Sequence, residues 1–292
     1  MKQSRTTVKG RAFAAEVDPR AMPRAPAAFD PLPLSEIKPL LTTRWMGRTI
    51  HHFQTIDSTN SKAYELAVQG AEEGEVVVAE SQEKGRGRMG RPWYSPPSAN
   101  LYLSVILRPK IPPHQASLLT LMAAVATAEA VREFSGLLPV IKWPNDILLD
   151  GRKAAGLLNE ICSEMGRVHF VILGIGVNLN MNGKSFPREI RKMATSLKIG
   201  MGRTVSRKAF LQVLLRKLES WYELFLKEGA PPILMAWRDR AQIKGRPVQV
   251  TSSGETWTGL AVDIDSDGSL ILRTGDGRTI KIVTGDVEYN PP

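Results

Sequence analysis

Two short segments concentrate side chains that could manage an anion. Gly85-Arg86-Gly87-Arg88-Met89-Gly90-Arg91 places three guanidinium groups on a glycine-rich loop preceded by Lys84. Glycine exposes backbone amides and the guanidinium forks match phosphate or carboxylate oxygens, so the loop suits wrapping an anionic ligand. The same composition also describes an RG-rich nucleic-acid loop or a solvated turn. The loop satisfies the spacing G-x-G-x-x-G, but Pro92, Pro96 and Pro97 follow within a few residues. A dinucleotide fingerprint must open a helix whose amides meet the pyrophosphate, so that reading is rejected. The second segment, Lys142-Trp143-Pro144-Asn145-Asp146 with Lys153 beyond it, gathers two lysines, an amide and a carboxylate around one strand pair. A lysine between Ile141 and Trp143 in an apolar strand is unusual unless paired or used. The bland alternative is a tight turn with exposed charge. Gly183-Lys184-Ser185 looks like the tail of a phosphate-binding loop, but Asn178 stands where its first glycine belongs, and an ordinary surface turn explains it.

Other chemistries lack their residues. His51 and His52 are adjacent, His114 and His169 are isolated, and Cys162 has no partner, so no structural zinc is expected. No G-x-S-x-G elbow is present for serine hydrolysis. Cys162, the single cysteine, sits in a mostly apolar segment and reads as a small core residue. The net charge of +10 calls for an anionic partner: nucleic acid, an acidic protein or a phosphorylated small molecule. Part of that charge lies in Lys2, Arg5, Lys9, Arg11, Arg20 and Arg24, within a Pro- and Ala-rich stretch read as a solvated basic tail rather than a nucleic-acid arm. Prolines also break up any apolar h-region there, so a secretory signal is not expected. No apolar run approaches the roughly 20 residues of a membrane span, so no membrane association is expected.

The elements that must position these groups alternate along the chain. Ile50–Ile56 reads as a strand, Asp57-Ser58-Thr59-Asn60 offers capping side chains, and a short helix follows through Ala63, Tyr64, Leu66 and Ala67. Strand character returns at Glu75–Glu80 and Leu101–Leu107, and a long helix is predicted over Gln115–Phe134. Val140–Trp143 and Ile147–Leu149 run as strands into the Asp150-Gly151 turn, with Gly156–Ile161 returning. Val168–Leu179 is a nearly unbroken apolar strand, which implies a central place in the sheet. Ser206 caps a helix to about Glu228 that Gly229 and Pro231-Pro232 end, and a further helix spans Ile233–Gln242. After Ile243, short β segments at Pro247–Thr251, Thr256–Ile264, Ser269–Arg273 and Thr279–Val283, separated by Gly and Asp turns, mark a small β-barrel. The expected division is therefore a loosely attached tail over 1–33, a large domain over 34–242 and a barrel over 243–292.

Taken in order, Asp57-Ser58-Thr59-Asn60, Glu80-Ser81-Gln82, Gly85–Pro96, Asn100-Leu101-Tyr102-Leu103, Lys142–Ile147, Gly151–Leu158 and Gly174–Asn180 resemble the biotin protein ligase family, from about Leu34 to Tyr289. The resemblance implies an α+β fold: a class II aminoacyl-tRNA synthetase-like catalytic domain, a mixed sheet flanked by helices, followed by a small SH3-like barrel. It implies a ligase that activates biotin with ATP and Mg²⁺ as biotinyl-adenylate, then forms an amide with a lysine of the biotin carboxyl carrier domain of acetyl-CoA carboxylase or a related carboxylase. Ser58, Thr59, Asn60, Gln82, Gly85, Arg86, Arg88, Lys153 and Gly156 then fall to biotin. Arg88, Arg91, Trp93, Asn145 and Asn178 fall to the adenylate, with Trp93 on the adenine side. Arg88, Lys142, Asp146 and Lys153 would carry the chemistry, and Mg²⁺ would come with ATP rather than at a dedicated site. A lipoate or octanoate ligase of the same superfamily is the neighbouring alternative. Bifunctional members carry an N-terminal DNA-binding winged helix. The short, proline-rich stretch before Leu34 does not read as one, so no repressor activity and no specific DNA partner are expected. A cytoplasmic location is expected, and the resemblance admits a homodimer as well as a monomer.

Overall fold

The computed structural model describes residues 32–252 and 254–289. The basic stretch read as a tail lies outside them except for its last two residues. Leu32 is fully buried and its N–H donates to Glu80 Oε1 at 2.9 Å, so the anchored chain begins earlier than the expected Leu34.

In chain order the elements are α1 (Leu34–Ile37), β1 (Ile50–Ile56), α2 (Thr59–Val68), β2 (Val76–Gln82), β3 (Leu101–Leu107), α3 (Ala116–Ser135), β4 (Val140–Lys142), β5 (Asp146–Leu149), β6 (Arg152–Glu164) and β7 (Arg167–Val177). They continue with α4 (Leu197–Met201), α5 (Arg207–Glu228), α6 (Ala230–Ala241), β8 (Pro247–Ser252), β9 (Glu255–Ile264), β10 (Leu270–Thr274), β11 (Thr279–Ile282) and β12 (Asp286–Tyr289). The large sheet is ordered β1-β2-β3-β7-β6-β5-β4, parallel only between β1 and β2. β7 is its middle strand, as its apolar run implied.

The period-two alternation of β7 assigns each face of this sheet. Val171, Leu173, Ile175 and Val177 point into the main core with α3, α5 and α6. Phe170 and Ile172 point the other way, against Ala63 and Ala67 of α2, and half-buried Cys162 packs there too. Farther along, the same α2-facing row becomes Gly174 and Gly176, so its side-chain volume falls to nothing.

The second sheet, β11-β10-β9-β8-β12, is wholly antiparallel and forms the small SH3-like unit. Val248, Val250, Leu270, Leu272 and Val287 join the main core, so the two sheets share one apolar interior. Two expectations need correction. Pro231 and Pro232 do not end α5; they occupy the first turn of α6, where a missing N–H costs nothing. The strand β12 was missed altogether.

A buried ion pair ties β2 to α5. Arg207 Nη2 lies 2.7 Å from Glu80 Oε2, with both side chains almost inaccessible. Burial alone would push the Glu80 carboxyl up. The Arg207 charge, with hydrogen bonds from Leu32, Arg207 and His52, outweighs burial and holds it below the usual carboxylate range. Glu80 therefore adds stability above its unfolded value of about 4.3, and that stability is lost as pH falls through the lower folded value. Arg207→Ala is expected to cost about 3–5 kcal/mol at pH 7, because it leaves a buried carboxylate without its countercharge. Urea unfolding should show that deficit narrowing as pH approaches 4, where Glu80 can protonate.

Candidate functional site

The glycine row leaves a hollow of about 790 Å³ on the α2 side of the large sheet. Its floor follows the register: Gly176 pairs with Tyr102 on one side and Gly156 on the other, Gly156 with Asp146, and Asp146 with Lys142. Two glycines therefore lie beside an acid and a base in one cross-strand row. Glycine is required for space here. A Cβ on Gly174 would stand 2.1 Å from Asn60 Oδ1, and one on Gly176 would stand 2.5 Å from the Trp93 indole.

The polar end of the hollow is built at the start of α2. Ser58 is the N-cap residue, but its side chain makes no capping hydrogen bond and lines the cavity. Gln82, at the end of β2, replaces that cap: its Oε1 accepts from Thr59 N at 2.9 Å and from Thr59 Oγ1 at 3.1 Å. Gln82 Nε2 donates to Ser95 Oγ at 2.9 Å. Ser104 Oγ lies 2.8 Å from Thr59 Oγ1 and 2.6 Å from Asn60 Oδ1. Ser58, Thr59 and Asn60 are each about 4% exposed, so this rim is nearly dehydrated and preset.

The glycine loop is a small hairpin. Trp93 N donates to Gly85 O and Gly87 N to Arg91 O, both at 2.7 Å, and Met89 has φ of 56°. It holds only a 3-10 turn at Arg88–Gly90 and opens no α-helix, in keeping with rejection of the dinucleotide fingerprint. Its arginines spread in three directions. Arg86 pairs with Glu160 at 3.0 Å. Arg91 pairs with Asp286 of β12. Arg88 donates to Gly285 O at 3.0 Å, to the Thr284 hydroxyl and to Asn145 Oδ1 at 3.4 Å. Burial lowers the proton affinity of Arg88 below its ordinary value, yet a guanidinium stays charged at physiological pH. It is a partly desolvated cation held on replaceable neutral acceptors.

The opposite wall comes from the β4–β5 turn. Lys153 Nζ lies 2.6 Å from Asp146 Oδ1 and 5.3 Å from the Trp93 ring centroid. Asn145 is buried, and its Nδ2 donates to Leu157 O at 2.6 Å, which fixes the oxygen that meets Arg88. Trp143, inside the motif, points away into the interior and donates from its indole to Gly268 O at 3.0 Å, pinning the turn to the small sheet. Lys142 Nζ lies 5.6 Å from the centroid of the Tyr289 ring. Burial pushes the Tyr289 hydroxyl up to about 12, so that wall stays neutral. Asn178 lines the hollow, but its amide nitrogen donates to Thr195 O at 3.0 Å, which also gives it a structural task. Gly183–Ser185 is a single 3-10 turn, as the surface-turn reading had it. Among the described residues no group of three or more His, Cys, Asp or Glu side chains could hold a metal ion.

Every residue expected to touch biotin or the adenylate or to carry the chemistry, other than Gly85, lines this one hollow, and Gly85 lies at its margin against Trp93 O and Gln82. Sequence reasoning missed Glu160, Ser104 and the β12 wall of Asp286, Val287, Glu288 and Tyr289. The alternation of β6 from Gly156 through Leu158 does point to Glu160, since residues two apart share a face.

Comparison with known proteins agrees with this geometry. Residues 52–178 match the biotin/lipoate A/B protein ligase family, and residues 244–289 match the biotin protein ligase C terminal domain. The class is thus a protein ligase of the biotin and lipoate superfamily. The bifunctional ligase/repressor BirA of Bacillus subtilis is 39% identical over 254 residues, covering 87% of this chain and 78% of that protein. The biotin–[acetyl-CoA-carboxylase] ligase of Mycobacterium tuberculosis is 37% identical over 240 residues, covering 80% of this chain and 85% of that protein. Among solved structures, the biotin protein ligase from Aquifex aeolicus in complex with biotin and ATP superposes with a TM-score of 0.71 at 25% identity, over 84% of this chain and all of that one. The chain belongs to the biotin protein ligase family.

Gly176→Ala should displace the Trp93 ring. We expect a change in tryptophan emission that disappears when Trp93→Phe is also present, whereas Gly183→Ala, with nothing within 4 Å of its added Cβ, should leave emission unchanged.

Proposed function

We propose that this chain activates biotin with ATP, releasing pyrophosphate, and transfers the biotinyl group to a lysine of a biotin carboxyl carrier domain. The observation that carries this reading is the joining, in one hollow, of a preset polar rim, a side-chain-free floor and a cationic wall. A cyclic urea offers two N–H donors and one carbonyl, which Ser58, Thr59, Asn60 and Gln82 can satisfy with little reorganisation. The apolar thioether ring fused to that urea packs beside the Trp93 ring, which itself rests on Gly156 and Gly176, and the valeryl chain carries its carboxylate toward Arg88 and Lys153.

In the first step a carboxylate oxygen attacks the α-phosphorus and the bond to pyrophosphate breaks. Two anions must approach, so Arg88, Lys142 and Lys153 offset their repulsion and stabilise the charge that develops. The Arg88 contacts to Thr284 and Gly285 exchange for phosphate oxygens, with Asn145 keeping the guanidinium in line. Arg91, Trp93 and Asn178 serve the nucleotide side. Mg²⁺ would come with ATP; Asp146, on the wall of the hollow, is the carboxylate that could help hold it, and the ion would supply charge neutralisation of the triphosphate. The glycine hairpin closes over the mixed anhydride and excludes water. In the second step the carrier amine attacks the acyl carbon, AMP leaves, and Asp146 accepts the amine's proton.

Residues 34–242 carry the catalysis in this reading, and the small domain over 243–292 supplies one wall of the site. A cytoplasmic location is part of this proposal, suggested by the ATP and carboxylase substrates it invokes. Among the described residues no helix is long and apolar enough to cross a membrane.

ATP–pyrophosphate exchange tests this. Biotin should support exchange and octanoate should not, and Arg88→Ala and Lys153→Ala should each reduce it by about 100-fold or more, the scale for removing a transition-state charge contact. A folded protein that exchanges with octanoate but not with biotin would move the assignment to lipoate-type chemistry.

A further inference from the structure

The geometry points to Glu160 as a positioning residue that couples recognition in the polar rim to closure of the glycine loop. Glu160 sits on β6, opposite Ile172, on the α2-facing side of the large sheet. One carboxylate oxygen accepts from Asn60 Nδ2 at 2.7 Å, and the other accepts from Arg86 Nη2 at 3.0 Å. A single rigid-strand carboxylate therefore holds the rim of the hollow and the first arginine of the loop together.

The consequence for Asn60 is one of polarity. An ionised carboxylate only accepts, so it dictates that the amide nitrogen of Asn60 faces β6. Asn60 Oδ1 is then turned to Ser104 Oγ at 2.6 Å, and that hydroxyl leads on to Thr59 Oγ1 and so to Gln82. Without Glu160, Asn60 Nδ2 keeps only a 3.3 Å contact to Leu158 O, and its orientation is no longer enforced. The consequence for the loop is one of tethering. Arg86 is the first arginine of the hairpin, and its ion pair is the loop's charged contact with the central strands. Asn60 and Arg86 thus share one anchor, and disturbance at either end reaches the other through it.

This inference rests on the biotin-activating reading above, so exchange by the wild-type chain is measured first. Its absence strikes that reading and removes this inference with it. With exchange established, Glu160→Ala and the isosteric Glu160→Gln are compared with Arg86→Ala and with the double variant Glu160→Ala/Arg86→Ala. Loss of a charged hydrogen bond corresponds to about tenfold. Both Glu160 variants should raise KM for biotin by about tenfold, leave KM for ATP within twofold, and unfold at the wild-type urea midpoint. Preformed labelled biotinyl-adenylate, chased with unlabelled biotin, should escape about tenfold faster from Glu160→Ala and from Arg86→Ala, and no faster from the double variant than from the worse single one. A biotin KM within twofold of wild type in both Glu160 variants, or an additive escape rate in the double variant, overturns the inference.

Discussion

A sheet interior ordinarily fills both faces with side chains, and this molecule depends on one place where it does not. From Val171 to Val177 the odd positions of β7 are large and apolar, which keeps the strand locked to α3, α5 and α6. The even positions taper from Phe170 and Ile172 to Gly174 and Gly176. The strand is thus anchored on one face and bare on the other. Asn60 and Trp93 lie directly against its backbone, at distances that no β-carbon would permit. A floor made of strand backbone cannot collapse as a side-chain pocket can, so the rim built by Thr59, Gln82 and Ser104 keeps its geometry before a ligand arrives.

Around that floor four cations rest on partners from different elements. Lys153 sits on Asp146, Arg91 on Asp286, Arg86 on Glu160, and Arg88 on a carbonyl and a hydroxyl of the small domain. These partners differ in strength. The neutral acceptors of Arg88 compete poorly with a phosphate, whereas the carboxylate partners hold their cations in place for a ligand to approach. The small domain is accordingly part of the site. It contributes the loop's resting contacts, a neutral tyrosine wall, and through Trp143 and Gly268 the position of the Lys142–Asp146 turn.

Much of this was legible in the sequence because local patterns govern it. β1 and β3 have the bounds that their β-branched and alternating residues predicted, and the apolar run of β7 gave its central place. Motif order gave the family and brought the named residues to one hollow. What escaped was set by distant contacts. β12 is four residues with Asp286 and Glu288 on alternate positions, and nothing local separates it from a polar terminus. The destinations of Arg86, Arg88 and Arg91 are Glu160, Gly285 and Asp286, far away along the chain. Pro231 and Pro232 were read as terminators because proline stops one helix and starts another equally well, and only the backbone at Gly229 decides between them.

The most direct test is a crystal structure of the chain with biotin and ATP bound. The account requires the ureido ring to rest between Asn60, Thr59 and Gln82 beside the Trp93 ring, with Arg88 withdrawn from Thr284 and Gly285 onto the α-phosphate and Lys153 within hydrogen-bond reach of the reacting oxygens. A ring seated elsewhere, or an Arg88 that keeps its small-domain contacts in the complex, would contradict it.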